Sequence, residues 1–94
     1  MMTLLSIQVI PKVLSGEPAD VVDKIIEYIQ KSGLKYEVGA METTIEGTLA
    51  QLLDLVKVIH PLSIEYGAER VITNVKIDYR PDGITFSEKL IKYR

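Results

Sequence analysis

Uncharged hydrogen-bonding side chains recur in several strand-like runs of this sequence. In the first run Ser6 and Gln8 alternate with apolar residues, so polar and apolar groups fall on opposite sides of a strand. Hydroxyl and amide groups donate and accept hydrogen bonds without carrying charge, whereas a merely solvated face is usually rich in lysine and glutamate. Such a polar face indicates a ligand pocket or a surface that another subunit covers. Its uncharged members are Ser6, Gln8, Thr44 and Asn74.

Catalytic and metal chemistry have few candidate groups in this chain. His60 is the single histidine, and it precedes a proline within a helical pattern, which indicates a structural role. The serines therefore lack a plausible general base, and no spacing of histidine, cysteine or carboxylate residues suits a metal ion. No glycine-rich loop opens a helix as a phosphate site would require. We therefore predict a protein that is not an enzyme and that needs no cofactor or metal.

Composition and charge narrow the class of protein further. The chain has 94 residues, enough for one domain with a single core, and we assign residues 1–94 to that domain. Its net charge is -2 and its basic residues form no cluster, so we expect no nucleic-acid partner. We find no cysteine, no signal-peptide pattern and no apolar run long enough to span a membrane. These features predict a small cytoplasmic protein without a membrane partner.

Periodicity and helix signals divide the chain into four strands and three helices. Pro11 should end the first strand, and Pro18 should begin the first helix. Thr48 and Gln51 stand at the spacing of a capping box, and Pro61 should kink or loosen the helix that they begin. The predicted buried stripe of that helix is Leu49, Leu52, Leu53, Val56 and Ile59. The predicted strands are Thr3–Ile10, Tyr36–Ala40, Thr43–Glu46 and Arg70–Arg80, and the third helix follows Thr85.

This order of elements predicts an α+β fold of the ferredoxin-like type. A β-α-β-β-α-β chain with right-handed crossovers forms a four-stranded antiparallel sheet with both long helices on one face. The short C-terminal helix is an addition to that plan. Strands one and three are central in it, so Ser6 and Gln8 should lie beside Thr44 and Glu46 on the uncovered face. The same face should carry Glu37 on one flank and Ile72, Asn74 and Lys76 on the other, with room for Met41 and Ile10 to join it.

The polar face also has a plain explanation, since one side of an antiparallel sheet is commonly just solvated. Two features favour a pocket or a covered surface instead. Charge is scarce among the hydrogen-bonding residues, and an apolar side chain is expected there at Ile72. Gly39 fits the same hypothesis, because a glycine within a strand allows a ligand or another backbone to approach closely.

Four segments of the chain carry a resemblance to a known family. They are Lys35–Gly39, Thr43–Gly47, Lys76–Arg80 and the closing Glu88-Lys89 with Lys92–Arg94. Over almost its whole length the chain resembles the thiamine-binding family of small ferredoxin-like proteins, long described only as a family of unknown function. The adjacent Tyr36 and Glu37, together with Thr43 and Glu46, are the most specific points of the resemblance.

The resemblance implies both a ligand and an assembly. Family members with two repeats of the fold bind thiamine through its hydroxymethylpyrimidine ring, and the family forms dimers that associate into tetramers through their sheets. This chain has one repeat, so a second copy would come from a partner subunit in a homodimer or homotetramer. Thiamine or its pyrimidine is therefore the expected ligand, on the open sheet face or at a subunit interface. The alternative is a homo-oligomeric structural or regulatory domain with no thiamine ligand.

The resemblance and the chemistry of thiamine also imply roles for individual residues. An aminopyrimidine complements hydroxyl, amide and carboxylate groups, and Glu37, Glu46 or Asp78 could balance the positive thiazolium ring. We expect Glu46 to be the principal anchor, with a rival role as a cap on the second helix, which it directly precedes. The expected ligand-binding set is Ser6, Gln8, Glu37, Gly39, Met41, Thr43, Thr44, Glu46 and Asn74.

Overall fold

The predicted order of strands and helices is present in the computed structural model, which describes residues 1–94. The elements are β1 (Thr3–Val13), α1 (Pro18–Lys31), β2 (Lys35–Val38), β3 (Thr43–Gly47), α2 (Leu49–Glu65), β4 (Ala68–Asp78) and α3 (Phe86–Leu90). The sheet has the strand order β2-β3-β1-β4, and every adjacent pair is antiparallel. The ferredoxin-like α+β fold is therefore confirmed, with β1 and β3 at the centre.

Side chains on the uncovered face of the sheet, here called the open face, line up in rows. The register of the four strands places two complete rows side by side. The first row, from β2 to β4, is Glu37, Thr44, Ser6 and Lys76. The second row is Lys35, Glu46, Leu4 and Asp78. Polar residues far apart in the sequence are thereby held at fixed neighbouring positions.

The opposite face, here called the covered face, carries the core. Alternate residues of the central strands, including Leu5, Ile7 and Ile45, are buried against α1 and α2. The helices contribute Ile25, Ile29, Leu52, Leu55 and Ile59 to the same cluster. Burial of one such side chain stabilises a fold by roughly 1.5–3 kcal/mol, so this cluster fixes the sheet on which the open face is built.

The prediction that Pro11 ends the first strand is wrong, because β1 continues to Val13. β3 pairs with β1 only as far as Ile7, whereas β4 follows β1 to its end. Beyond Ile7 the strand needs ladder hydrogen bonds on one side only. A residue without an N–H group is tolerated where that position faces away from the neighbouring strand.

The start of α2 follows the sequence prediction. Thr48 Oγ1 accepts from the Gln51 N–H at 3.2 Å, and Gln51 Oε1 accepts from the Thr48 N–H at 2.9 Å, which completes the capping box. The helix continues through Pro61 for its last turn, so the proline does not stop it. No helix of the structure combines the length and the apolar character that crossing a membrane requires.

The predicted buried stripe of α2 is wrong at Leu53, which is exposed. Leu55 is buried instead, together with Leu52 and Ile59. Residues three and four apart share one face of a helix, whereas Leu53 is turned about 100° away from Leu52. Ser63 completes the buried face, where its hydroxyl donates to the Ile59 carbonyl at 2.7 Å.

The C-terminal segment lies on the open face and places α3 against the second row. Phe86 and Ile84 are buried against Leu4, where they form a small second core. The Thr85 hydroxyl accepts from the Glu88 N–H at 3.2 Å, so the predicted cap of this helix is present. α3 therefore limits the open face on one side and leaves the first row uncovered.

Candidate functional site

The first row and the neighbouring edge of α3 enclose a cavity of about 400 Å³, here called the cleft. Its floor belongs to β1 and β3, which are held by strand pairing on both sides and by the core beneath them. Its sides come from β2, β4, α3 and the turn between β2 and β3. The polar side chains that line it are Ser6, Glu37, Glu42, Thr44, Lys76, Asp78 and Lys89.

Two hydroxyl groups form the floor of the cleft. Ser6 and Thr44 lie opposite each other on β1 and β3. The Ser6 Oγ atom is buried, yet it has no hydrogen-bond partner of normal geometry. Leaving a buried polar group unpaired costs about 1–3 kcal/mol, so native folds retain few of them. The floor therefore has hydrogen-bonding capacity that the chain itself does not use.

Three carboxylates stand around this floor, and each one is paired with a basic side chain. The pairs are Lys76–Glu42 at 3.2 Å, Arg94–Glu37 at 3.6 Å and Lys89–Asp78. All six side chains keep a large part of their surface exposed to solvent. Exposed pairs of this kind contribute only about 0.2–1 kcal/mol each. A cationic ligand can therefore compete with the basic side chains for these carboxylates.

The surroundings of Glu42 favour the ionised form of its carboxyl group. The Ser6 hydroxyl and the Lys76 ammonium, in that order, lower the pKa of Glu42 below its ordinary value. The hydroxyl does not close a hydrogen bond of normal geometry with the carboxylate, so its effect reflects proximity. Glu42 is consequently ionised at neutral pH and presents a full negative charge to the cleft.

Glu46 holds α3 in place and does not line the cleft. Its Oε1 atom accepts a hydrogen bond from the Phe86 N–H at 2.8 Å. The rival role predicted for Glu46, a cap on α2, is wrong because Thr48 and Gln51 cap that helix. Its predicted role as the main ligand anchor competes with the Phe86 contact, since that oxygen is directed at the backbone of α3.

Gly39 shapes the turn that carries Glu42. β2 ends at Val38, two residues before the predicted end, so Gly39 lies in the turn. Its N–H donates to the Glu42 carbonyl at 2.8 Å. A β-carbon at Gly39 would also lie 2.8 Å from that carbonyl oxygen, which is closer than side chains tolerate. Gly39 therefore allows a close approach of the Glu42 carbonyl within the turn.

The remaining predicted residues lie outside the cleft. Gln8, Gly39, Met41 and Thr43 line a smaller apolar slot of about 120 Å³ between the turn and α1. Thr43 is buried on the covered face. The Asn74 side-chain amide donates to Gln8 Oε1 at 3.2 Å, across β1 and β4. The predicted residues that line the cleft are Ser6, Glu37 and Thr44.

Glu42 and Lys76 line the cleft but are not among the predicted binding residues. Lys76 could have been found, because the predicted topology places it beside Ser6 on the open face. Glu42 lies in a hairpin turn, where a charged residue is ordinary, so no sequence pattern distinguishes it. No three potential metal ligands converge anywhere in the structure.

The fold and the cleft define a small ferredoxin-like protein with a polar, carboxylate-lined site on the open face of its sheet. Residues 5–94 match the family model described as thiamine-binding protein. The chain therefore belongs to the thiamine-binding protein family, and the resemblance seen in its sequence is confirmed.

Individual relatives and solved structures are similar to the chain over almost its whole length. A UPF0045 protein of Clostridium perfringens is 52% identical over 89 residues, which cover 95% of this chain and 94% of that protein. A structure of a domain of unknown function, DUF77, from Bacillus cereus is 49% identical with a TM-score of 0.95, and the match covers 100% of this chain and 91% of that one. A Thermotoga maritima structure, described provisionally as a thiamine biosynthesis or salvage protein, is 39% identical with a TM-score of 0.92 and 100% coverage of both chains.

Proposed function

We propose that this protein binds thiamine, or a ligand that contains its hydroxymethylpyrimidine ring, in the cleft on the open face, without catalysing a reaction. The observation that carries the proposal is the convergence of three carboxylates around a floor of two hydroxyl groups. Membership of the thiamine-binding protein family supports the same class of ligand.

The chemistry of the cleft complements both rings of thiamine. The pyrimidine offers ring nitrogens that accept hydrogen bonds and an exocyclic amine that donates them, and a hydroxyl group can serve either. The thiazolium ring carries a positive charge. Three carboxylates line the cleft, and each is paired with a basic side chain only through an exposed ion pair. A ligand cation can take the place of one of those basic side chains.

The volume of the cleft also favours it over the apolar slot as the ligand-binding site. Small-molecule sites commonly have volumes of about 300–1,000 Å³. The cleft, at about 400 Å³, falls within that range, whereas the slot has about 120 Å³. The slot is moreover lined mainly by apolar residues, among them Val22, Ile25 and Ile29. It offers few hydrogen-bonding partners for a polar heterocycle.

A binding role without catalysis is supported by the position of the only histidine. His60 belongs to α2, which packs on the covered face, and its Nδ1 atom lies 2.7 Å from the Val56 carbonyl oxygen. It is therefore not available as a general base for Ser6 or Thr44. The cleft itself contains hydroxyl groups, carboxylates and ammonium groups that already form ion pairs.

We further propose that the protein is a cytoplasmic homodimer or homotetramer. Ile10 and Ile72 lie opposite each other on the open face and are 44% and 49% exposed, which suits a surface that a second copy covers. The same pair favours the alternative function, an assembly domain without a thiamine ligand. Light scattering should give a multiple of the 10.6 kDa chain mass, and a monomer at micromolar concentration would contradict the assembly.

The binding proposal can be tested with one chemical change made on the two faces of the sheet. Thr44→Val removes a hydroxyl from the cleft floor, and Thr73→Val removes one from the covered face, where its oxygen is buried without a partner. Calorimetric titration with thiamine and with hydroxymethylpyrimidine should show binding to the native chain that Thr44→Val weakens roughly two- to tenfold, the worth of one hydrogen bond.

Thr73→Val is the matched control and should leave both affinities unchanged. Because it removes an unpaired buried hydroxyl, it should keep or raise the melting temperature of the protein. Equal affinities for the native chain and the Thr44→Val variant would remove the cleft floor from the site. No heat of binding, together with a melting temperature that does not rise with thiamine concentration, would favour the assembly function instead.

A further inference from the structure

The Ser6 hydroxyl is buried although it belongs to the floor of an open cleft, so neighbouring side chains must cover it. Lys76 lies directly opposite Ser6 in the pairing of β1 with β4. The β-carbons of residues at such positions are about 4.5–5.5 Å apart. Glu42 reaches the same point from the turn, with its Oε1 atom 3.2 Å from the Lys76 ammonium. The Glu42–Lys76 pair thus covers the hydroxyl.

The ammonium of Lys76 occupies a place in the cleft that suits a positive charge. It forms an ion pair with the Glu42 carboxylate at 3.2 Å, and Lys76 lies opposite Ser6, whose hydroxyl has no hydrogen-bond partner. The lowered pKa of Glu42, caused by Ser6 and by Lys76, is consistent with this arrangement. A ligand cation bound at Glu42 would need the same space.

We propose that Lys76 is a specificity-determining residue whose ammonium occupies a cation subsite formed by Glu42, and that a cationic ligand enters this subsite by displacing it. This inference rests on the proposed function, because the subsite is part of the same cleft. The displaced lysine moves into solvent, the ligand cation pairs with Glu42, and the Ser6 hydroxyl becomes accessible.

Displacement of Lys76 is physically easy. Its side chain is 75% exposed, and that of Glu42 is 36% exposed. Exposed pairs are weak because water screens the charges and the long lysine side chain loses rotational freedom when it is held. A ligand that is already held in the cleft through its pyrimidine ring loses little further freedom when its cationic ring pairs with Glu42. For such a ligand, the exchange with the lysine costs little.

The competition with Lys76 sets how strongly the cleft prefers a cation to a neutral ligand. Thiamine can replace the ammonium at Glu42 because its thiazolium ring is charged. Neutral hydroxymethylpyrimidine leaves the Glu42–Lys76 pair in place, since nothing in that ligand would replace the lost ion pair. The change in the ratio of the two affinities when Lys76 is replaced therefore measures the competition at this subsite.

Calorimetric titrations of the full chain with both ligands test this inference. Lys76→Gln should bind thiamine roughly two- to fivefold more tightly, because the competing ion pair is gone, and should leave the affinity for hydroxymethylpyrimidine unchanged. Glu42→Gln should bind thiamine roughly tenfold less tightly. Lys12→Gln removes the same charge from the far end of the open face, outside the cleft, and should change neither affinity.

The decisive comparison is the effect of Lys76→Gln in the two Glu42 backgrounds. If the lysine acts by occupying the subsite, its removal should have little effect on thiamine binding once Glu42 is already glutamine. An equal gain in thiamine affinity in both backgrounds would mean that removing a positive charge simply makes the protein more attractive to a cation. That result would overturn the inference and leave the proposed function standing. Failure of the native chain and every variant to bind thiamine would overturn the inference, and failure to bind hydroxymethylpyrimidine as well would overturn both.

Discussion

The two faces of the sheet differ completely, although alternate residues of the same two strands build them. On the covered face Leu5 and Ile45 are 0% exposed and pack against both long helices. One position further along β1, and one position back along β3, Ser6 and Thr44 form the floor of the cleft. Because side chains alternate along a strand, neighbouring residues of β1 and β3 serve either the core or the cleft.

The two faces differ in how fully their side chains are packed or paired within the chain. The covered face fills its space with apolar side chains from four elements, and the one polar group left there without a partner is the Thr73 hydroxyl on the edge strand β4. The open face retains an unpaired hydroxyl and three weakly paired carboxylates. Substitutions one residue apart should therefore change different measured quantities: the free energy of unfolding on one face and ligand affinity on the other.

The largest effect is expected from a substitution in the covered face. Ile45→Ala should lower the free energy of unfolding by about 2–5 kcal/mol, because it removes buried methyl groups and leaves a cavity in the core. Urea denaturation measures this loss, and the folded fraction should bind thiamine as the native chain does. The adjacent Thr44→Val should leave the free energy of unfolding nearly unchanged and weaken thiamine binding. A loss of binding in folded Ile45→Ala would contradict the separation of the two faces.

A smaller effect is expected at the turn, where the two tasks meet. Gly39→Ala places a β-carbon against the Glu42 carbonyl oxygen, so the turn must shift, at a cost of about 1–3 kcal/mol in unfolding free energy. Because Glu42 moves with the turn, thiamine affinity should fall as well. Ala40→Gly is the control in the same turn, since it adds no atom. Unchanged stability and affinity in Gly39→Ala would show that the turn adapts freely.

Among the three substitutions expected to destabilise the fold, the smallest loss is expected where α3 is anchored. Glu46→Ala leaves the partly buried Phe86 N–H without its acceptor and should lower the free energy of unfolding by about 1–2 kcal/mol. Glu46→Gln keeps an oxygen acceptor, so it should lose less stability and bind thiamine as the native chain does. A tenfold loss of affinity in Glu46→Gln would instead restore Glu46 as the ligand anchor.

The covered face and the topology could be predicted from the sequence because they are recorded in local patterns. Apolar alternation indicates β1 and β3. Capping signals indicate the start of α2 at Thr48 and the start of α3 at Thr85. From these elements the handedness of the crossovers yields the sheet order, and with it the row in which Ser6 and Thr44 are neighbours.

The details that could not be predicted depend on contacts between distant segments. Whether Pro11 ends a strand depends on how far β3 pairs along β1. The residues next to Pro11 in the sequence do not show this. Glu46 is assigned to α3 by a hydrogen bond to Phe86, 40 positions along the chain. Glu42 enters the cleft only because the turn places it beside Lys76. Each of these facts follows from tertiary packing and not from local sequence.

The most direct test of the binding account is a titration of the native protein with thiamine, followed by proton–nitrogen correlation spectra. The amides of Ser6, Thr44 and Lys76 in the first row should show the largest saturable shifts. The amides of Val22 and Ile26, which line the apolar slot on α1, should move little. Shifts that are largest at Val22 and Ile26, or no saturable shift at millimolar thiamine, would contradict the assignment of the cleft as the binding site.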